Sequence, residues 1–74
     1  MTATLEIQAL AEEWAEDREA MADERREALL DWVRGESDRW RQDLGLSAMP
    51  GHVAYALDIR WGEAARLCEE AGCQ

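Results

Sequence analysis

Phenylalanine and lysine are absent from these 74 residues, and proline occurs once, at Pro50. β-Branched residues number six: Thr2, Thr4, Ile7, Val33, Val53 and Ile59. That is too few for a sheet, whose pleated surface favours such side chains. Only Cys68 and Cys73 carry thiols, which excludes a disulfide scaffold. No apolar run approaches the ~20 residues that a membrane-spanning helix needs. The start, MTATLEIQAL, has no basic segment ahead of an apolar one, so no secretory signal is expected. These absences predict a cytoplasmic protein with reduced thiols and no membrane contact.

Chemistry-bearing patterns are equally scarce. His52, Cys68 and Cys73 are the soft metal ligands, and Cys-x4-Cys is not a zinc spacing. The Glu-x-x-His pairs of di-metal bundles are missing, as is any glycine-rich phosphate loop. His52 falls in a turn-rich segment remote in sequence from Ser37, which argues against a nucleophilic triad. The sequence therefore predicts no enzyme, no catalytic residue, no metal and no cofactor.

What is present is helix-forming and acidic. Ala, Glu, Leu and Arg dominate, and 17 acids against 8 arginines give a net charge of −9. From Ala3 to Arg34 there is no Gly and no Pro. Ile7, Ala11, Trp14, Met21, Ala28 and Trp32 fall on one helical stripe, with heptad steps from Ile7 to Ala28. The ten acids of this segment lie opposite, within an arc of roughly 160°. One helix over about 3–34 is expected, with a break or kink near Gly35 and a short helix or continuation over about 37–44. GLSAMPG marks a turn at 45–51, with Gly45 as a C-terminal cap and Ser47 as the next N-cap. A further helix is expected over about 52–71, with a break allowed near 58–62 because of Gly62. Its stripe is Ala54, Leu57, Trp61, Ala64, Cys68 and Ala71.

These elements predict a single all-α domain, a helical hairpin or small three-helix bundle. In it the long N-terminal helix packs antiparallel on the C-terminal helix. Leu5 and Leu30, and Tyr55, Ile59 and Leu67 on the C-terminal helix, are left off the stripes. The last three suggest a dimer interface. Arg18 and Arg25 fall within the Trp stripe, where they can stack on indoles or reach Asp58 and Glu69. Arg26 and Arg34 are placed to pair with acids along their own helix.

The charge pattern points to a partner. Residues 1–34 carry ten acids against four Arg, a net of −6. A chain this acidic repels phosphate backbones and attracts basic surfaces. The expected function is a non-enzymatic acidic binding module that mimics nucleic acid and occupies the basic groove of a nucleic-acid-handling complex. Glu13, Glu16, Asp17, Glu24, Glu27 and Asp31 are its expected contact residues, on a face about 40 Å long. Small acidic inhibitors that phages and mobile elements deploy against restriction or CRISPR systems are similar in size and charge, though in no motif. A helix-turn-helix regulator is the first alternative, from the segment VAYALDIRWGEAARLCEEAG. Residues 49–74 hold two Arg against four acids, a net of −2, which disfavours direct DNA binding. A dimerising structural adaptor is the second alternative.

Overall fold

The computed structural model describes residues 5–44 and 48–72, the side chains of 41–44 excepted. Among the described residues there are four helices and no strand, so the chain is all-α. They are α1 (Leu5–Asp17), α2 (Asp23–Leu44), α3 (Met49–Leu57) and α4 (Trp61–Ala71). The 22 residues of α2 make a rod of ~33 Å, which nearly matches the longest Cα extent of 34 Å. The other helices gather along this rod: α1 and α4 pack on α2, and α3 packs chiefly on α4. Side chains from all four enter one apolar core. The Cα radius of gyration is 11.1 Å, matching the ~11 Å of a folded chain of this length.

The expected helix over 3–34 is two helices, because the chain bends at residues 18–22. No Gly or Pro causes the bend, so packing does. A straight helix would bury one stripe against one neighbour. The bend instead lays α1 beside α2 and drops Met21 into the core, 3% exposed. The backbone groups released there are partly met by side chains. Asp17 Oδ1 accepts from the Ala20 amide at 3.2 Å, and Arg26 Nη2 donates to the Arg18 carbonyl. Asp23 and Glu24 stand in the first turn of α2, where carboxylates complement the helix dipole.

After the bend the apolar phase shifts. Ala28, expected on the Trp stripe, is exposed. Leu29, Leu30 and Val33 are buried instead, together with Glu36 and Ser37. Gly35 does not break the helix: α2 runs through it. Buried residues on both sides hold the helix together against the ~1 kcal/mol that an interior Gly costs.

The expected turn over 45–51 ends earlier, because α3 already includes Met49, Pro50 and Gly51. Pro50 at the first turn is compatible with a helix start, where its missing N–H is not needed. The N-cap position is Ala48, without a side-chain cap; the proposed Gly45 and Ser47 caps lie outside the described residues. The helix over 52–71 is α3 plus α4, parted at Asp58–Arg60. Asp58 adopts a left-handed conformation, φ 56°, which Asp tolerates better than most residues. The amides of Asp58 and Ile59 both turn back to the Ala54 carbonyl. Gly62 sits inside α4, after the break, and Gly72 ends that helix at φ 79°.

Restarting the helix at residue 61 changes which residues face the core. Trp61, expected in the stripe, is the first residue of α4 and is 60% exposed. Leu67, expected outside it, is wholly buried with Ala64, Cys68 and Ala71.

Two stability measurements test this arrangement. Trp14→Ala should cost ~3–5 kcal/mol in urea unfolding, whereas Trp61→Ala should cost under ~1 kcal/mol. Equal costs would contradict the placement of the bend and the turn. A Cβ added at Gly35 would meet nothing within 4 Å. Gly35→Ala should therefore raise stability by ~0.5–1 kcal/mol, and a loss would show that α2 is not regular there.

Candidate functional site

The six acids expected to form one face are shared between two helices. Glu13, Glu16 and Asp17 belong to α1, and Glu24, Glu27 and Asp31 to α2. The bend at residues 18–22 interrupts the single straight helix on which a face 40 Å long was expected. Most of these acids also have internal partners. Glu13 Oε2 accepts from Arg25 Nη2 at 2.7 Å and from Arg25 Nε at 2.9 Å. That hydrogen bond, then the charge of Glu13, holds the Arg25 guanidinium above its ordinary pKa. Arg34 lies 2.8 Å from Asp31 and 3.6 Å from Glu27, and its Nε donates to the Ala71 carbonyl at 3.1 Å. Asp17 caps the Ala20 amide. Glu16 and Glu24 are exposed and make no ion pair with a described residue.

The arginines of the apolar stripe divide. Arg18 stacks over the Trp14 ring, its Cζ 4.5 Å from the centroid, and pairs with Glu63 at 3.0 Å instead of Asp58 or Glu69. Trp14 is 1% exposed, and its Nε1 donates to Glu70 Oε2 at 3.2 Å. Arg26 stands 3.6 Å from Asp23 on its own helix and 3.9 Å from Glu70. Arg18 and Glu70 thus engage the Trp14 indole directly, and Glu63 and Arg26 pair with them. Arg25 leaves the stripe for the exposed Glu13 contact.

Folding α1 back creates a concavity that the linear sequence does not show. A groove of about 540 Å³ opens between α1 and the α3–α4 turn. Gln8, Glu12, Ala15 and Glu16 line one side; Leu57, Asp58, Ile59, Arg60 and Glu63 line the other. Gln8 Nε2 donates to the Ala56 carbonyl at 3.2 Å and ties the two sides together. Glu63 is engaged by Arg18. Glu12, Glu16 and Asp58 are exposed and form no ion pair with a described residue, and Arg60 is likewise exposed. Trp61 follows Arg60 directly, and Tyr55, 85% exposed, lies on the preceding helix.

A second polar cluster lies between α2 and α3. Glu36 and Ser37 are buried, and His52 Nε2 stands 3.5 Å from Glu36 Oε1 without forming a hydrogen bond. Trp40 packs on His52 with ring centroids 5.8 Å apart. His52, expected in a turn remote from Ser37, lies on α3 beside Glu36, the residue next to Ser37. Ser37 Oγ and Trp40 Nε1 have no hydrogen-bond partner among the described residues. Among the described residues, no group of three or more His, Cys, Asp or Glu side chains is arranged to hold a metal ion. Among the described residues, no helix is long and apolar enough to cross a membrane.

Of the expected dimer residues, only Tyr55 is well exposed. Ile59 is half-buried against the core, and Leu67 is inside it. Leu67 therefore serves the core of a single chain, because α4 begins at residue 61 and turns that side inward. Leu30 is buried on α2 as well, while Leu5 is exposed. The groove was not legible in the sequence, since Glu12 and Asp58 come together only through the bend and the turn. Comparison of the chain with protein-family models, curated proteins and solved structures finds no match.

Proposed function

We propose that this chain is a non-enzymatic acidic binding module whose target is a basic protein surface of the kind that handles nucleic acid. An inhibitor or regulator that competes with DNA or RNA for such a surface fits best. The observation that carries the reading is the net charge of −9 on so small a body. Some carboxylates are neutralised by internal arginines, yet Glu12, Glu16, Glu24 and Asp58 remain exposed without an ion pair to a described residue. Such a field speeds encounter with a basic surface and weakens with salt.

A second reading has one observation in its favour. Helices α3 and α4 are joined by the three residues Asp58–Arg60, the connection length of a helix-turn-helix unit. Charge opposes it, because α4 carries Glu63, Glu69 and Glu70 against Arg66 alone. Phosphate contacts supply most non-specific affinity for DNA, and this helix repels them.

One experiment separates the two. An arginine-rich DNA-binding domain is loaded with labelled duplex DNA and titrated with this protein. Fluorescence anisotropy should fall as the DNA is released, and the release should fade as salt is raised towards ~0.5 M. The same protein mixed with bare duplex DNA should give no gel shift. A shift of bare DNA, or failure to release it from the loaded domain at low salt, would reject the acidic-module reading.

A further inference from the structure

We propose that the groove between α1 and the α3–α4 turn is the docking site for an arginine-bearing segment of a partner protein. This inference rests on the acidic-module reading and gives it a location. Two separate observations lead there. The groove has apolar lining, from Ala15, Leu57 and Ile59, and a volume of about 540 Å³. That size lies within the ~300–1,000 Å³ of sites that hold small molecules or a few side chains. Its charged lining is unbalanced, with Glu12, Glu16, Asp58 and Glu63 against Arg60.

Arginine suits both features at once. Its stem can lie on apolar surface while the guanidinium remains between carboxylates. The planar fork is weakly hydrated and meets carboxylates in bidentate fashion, which a lysine ammonium cannot do. Glu12 and Glu16 are one helical turn apart on α1, so they present two acceptors to the same segment. Asp58 lies on the other wall, at the left-handed residue that ends α3. A concave wall concentrates the field of such charges more than a convex helix does. The outer acids of α2 lack this setting, and Glu27 and Asp31 are already engaged by Arg34. Arg60, within the groove, is a resident cation that an incoming arginine has to compete with or displace.

The test uses a fluorescently labelled, end-capped hexa-arginine peptide at low salt. Glu12→Gln with Glu16→Gln and Asp58→Asn removes three charges from the groove, and Asn keeps the tolerance for positive φ at residue 58. Glu24→Gln with Glu27→Gln and Asp31→Asn removes three from α2. The groove triple should raise Kd about tenfold, the α2 triple less than about threefold. Arg60→Ala should lower Kd. Amide shifts of the wild-type protein on adding peptide should concentrate in Gln8–Glu16 and Leu57–Glu63, a readout that does not depend on either variant folding. Equal effects of the two triples, or shifts centred on Glu24–Asp31, would overturn the groove while leaving the acidic-module reading in place. No measurable binding of the peptide would overturn both.

Discussion

A buried indole needs an apolar enclosure for its rings and an acceptor for its N–H. Trp14 obtains both only if α1 folds back on α2 while α4 closes over it. Glu70 near the end of α4 accepts the N–H, and Arg18 covers the ring while reaching Glu63 at the start of α4. The indole therefore fixes where α1 lies relative to both ends of α4. The bend at residues 18–22 follows from that requirement, since a straight helix would carry Arg18 and Met21 past their partners. The groove follows in turn, because the wall of α1 that lines it is the neighbour of the face that buries Trp14.

The helical class was legible because Leu10, Ala11 and Trp14, and Leu29 and Val33, recur at helical spacing within their own segments. The bend was not, because Ala20, Met21 and Ala22 are good helix formers and local propensity favours continuing through them. Burying Met21 is worth ~1.5–3 kcal/mol, more than those propensities sum to. A continuous helix kept the heptad phase as far as Ala28, and so assigned Leu30 to the surface and all ten acids to one face. The same happened at Asp58–Arg60, where a three-residue turn moved Trp61 outward and Leu67 inward. A left-handed Asp leaves almost no mark in a sequence, whereas the left-handed Gly72 does.

The acidic surface has two uses that sequence alone cannot separate. Glu13, Glu63 and Glu70 are held by arginines from elsewhere in the chain and help to fasten the helices together, while Asp31 pairs with Arg34 within α2. Glu12, Glu16 and Asp58 do no such work and stand around a concavity. In a chain with 17 acids and 8 arginines, an excess of carboxylates is left over after internal pairing. The proposed binding role draws on that excess. Glu36 differs from both groups, being buried beside Ser37 and His52. Polar groups enclosed there restrict how α3 can be seated on α2, since other registers would leave them facing apolar side chains.

The enclosure of Trp14 also bears on how the molecule comes into being. A ribosome releases α1 and α2 first, yet the acceptor for the indole and the carbonyl that Arg34 grips belong to Glu70 and Ala71. Until α4 has emerged, the nascent chain exposes Trp14, Met21 and the inner face of α2 together. An exposed apolar surface of that kind is what chaperones hold and what aggregates. The dense carboxylates beside it, seven of which fall from Glu12 to Glu24 (Glu12, Glu13, Glu16, Asp17, Glu19, Asp23 and Glu24), keep such half-made chains apart by mutual repulsion even before the core exists. The charge is thus in service before there is a folded surface to display it.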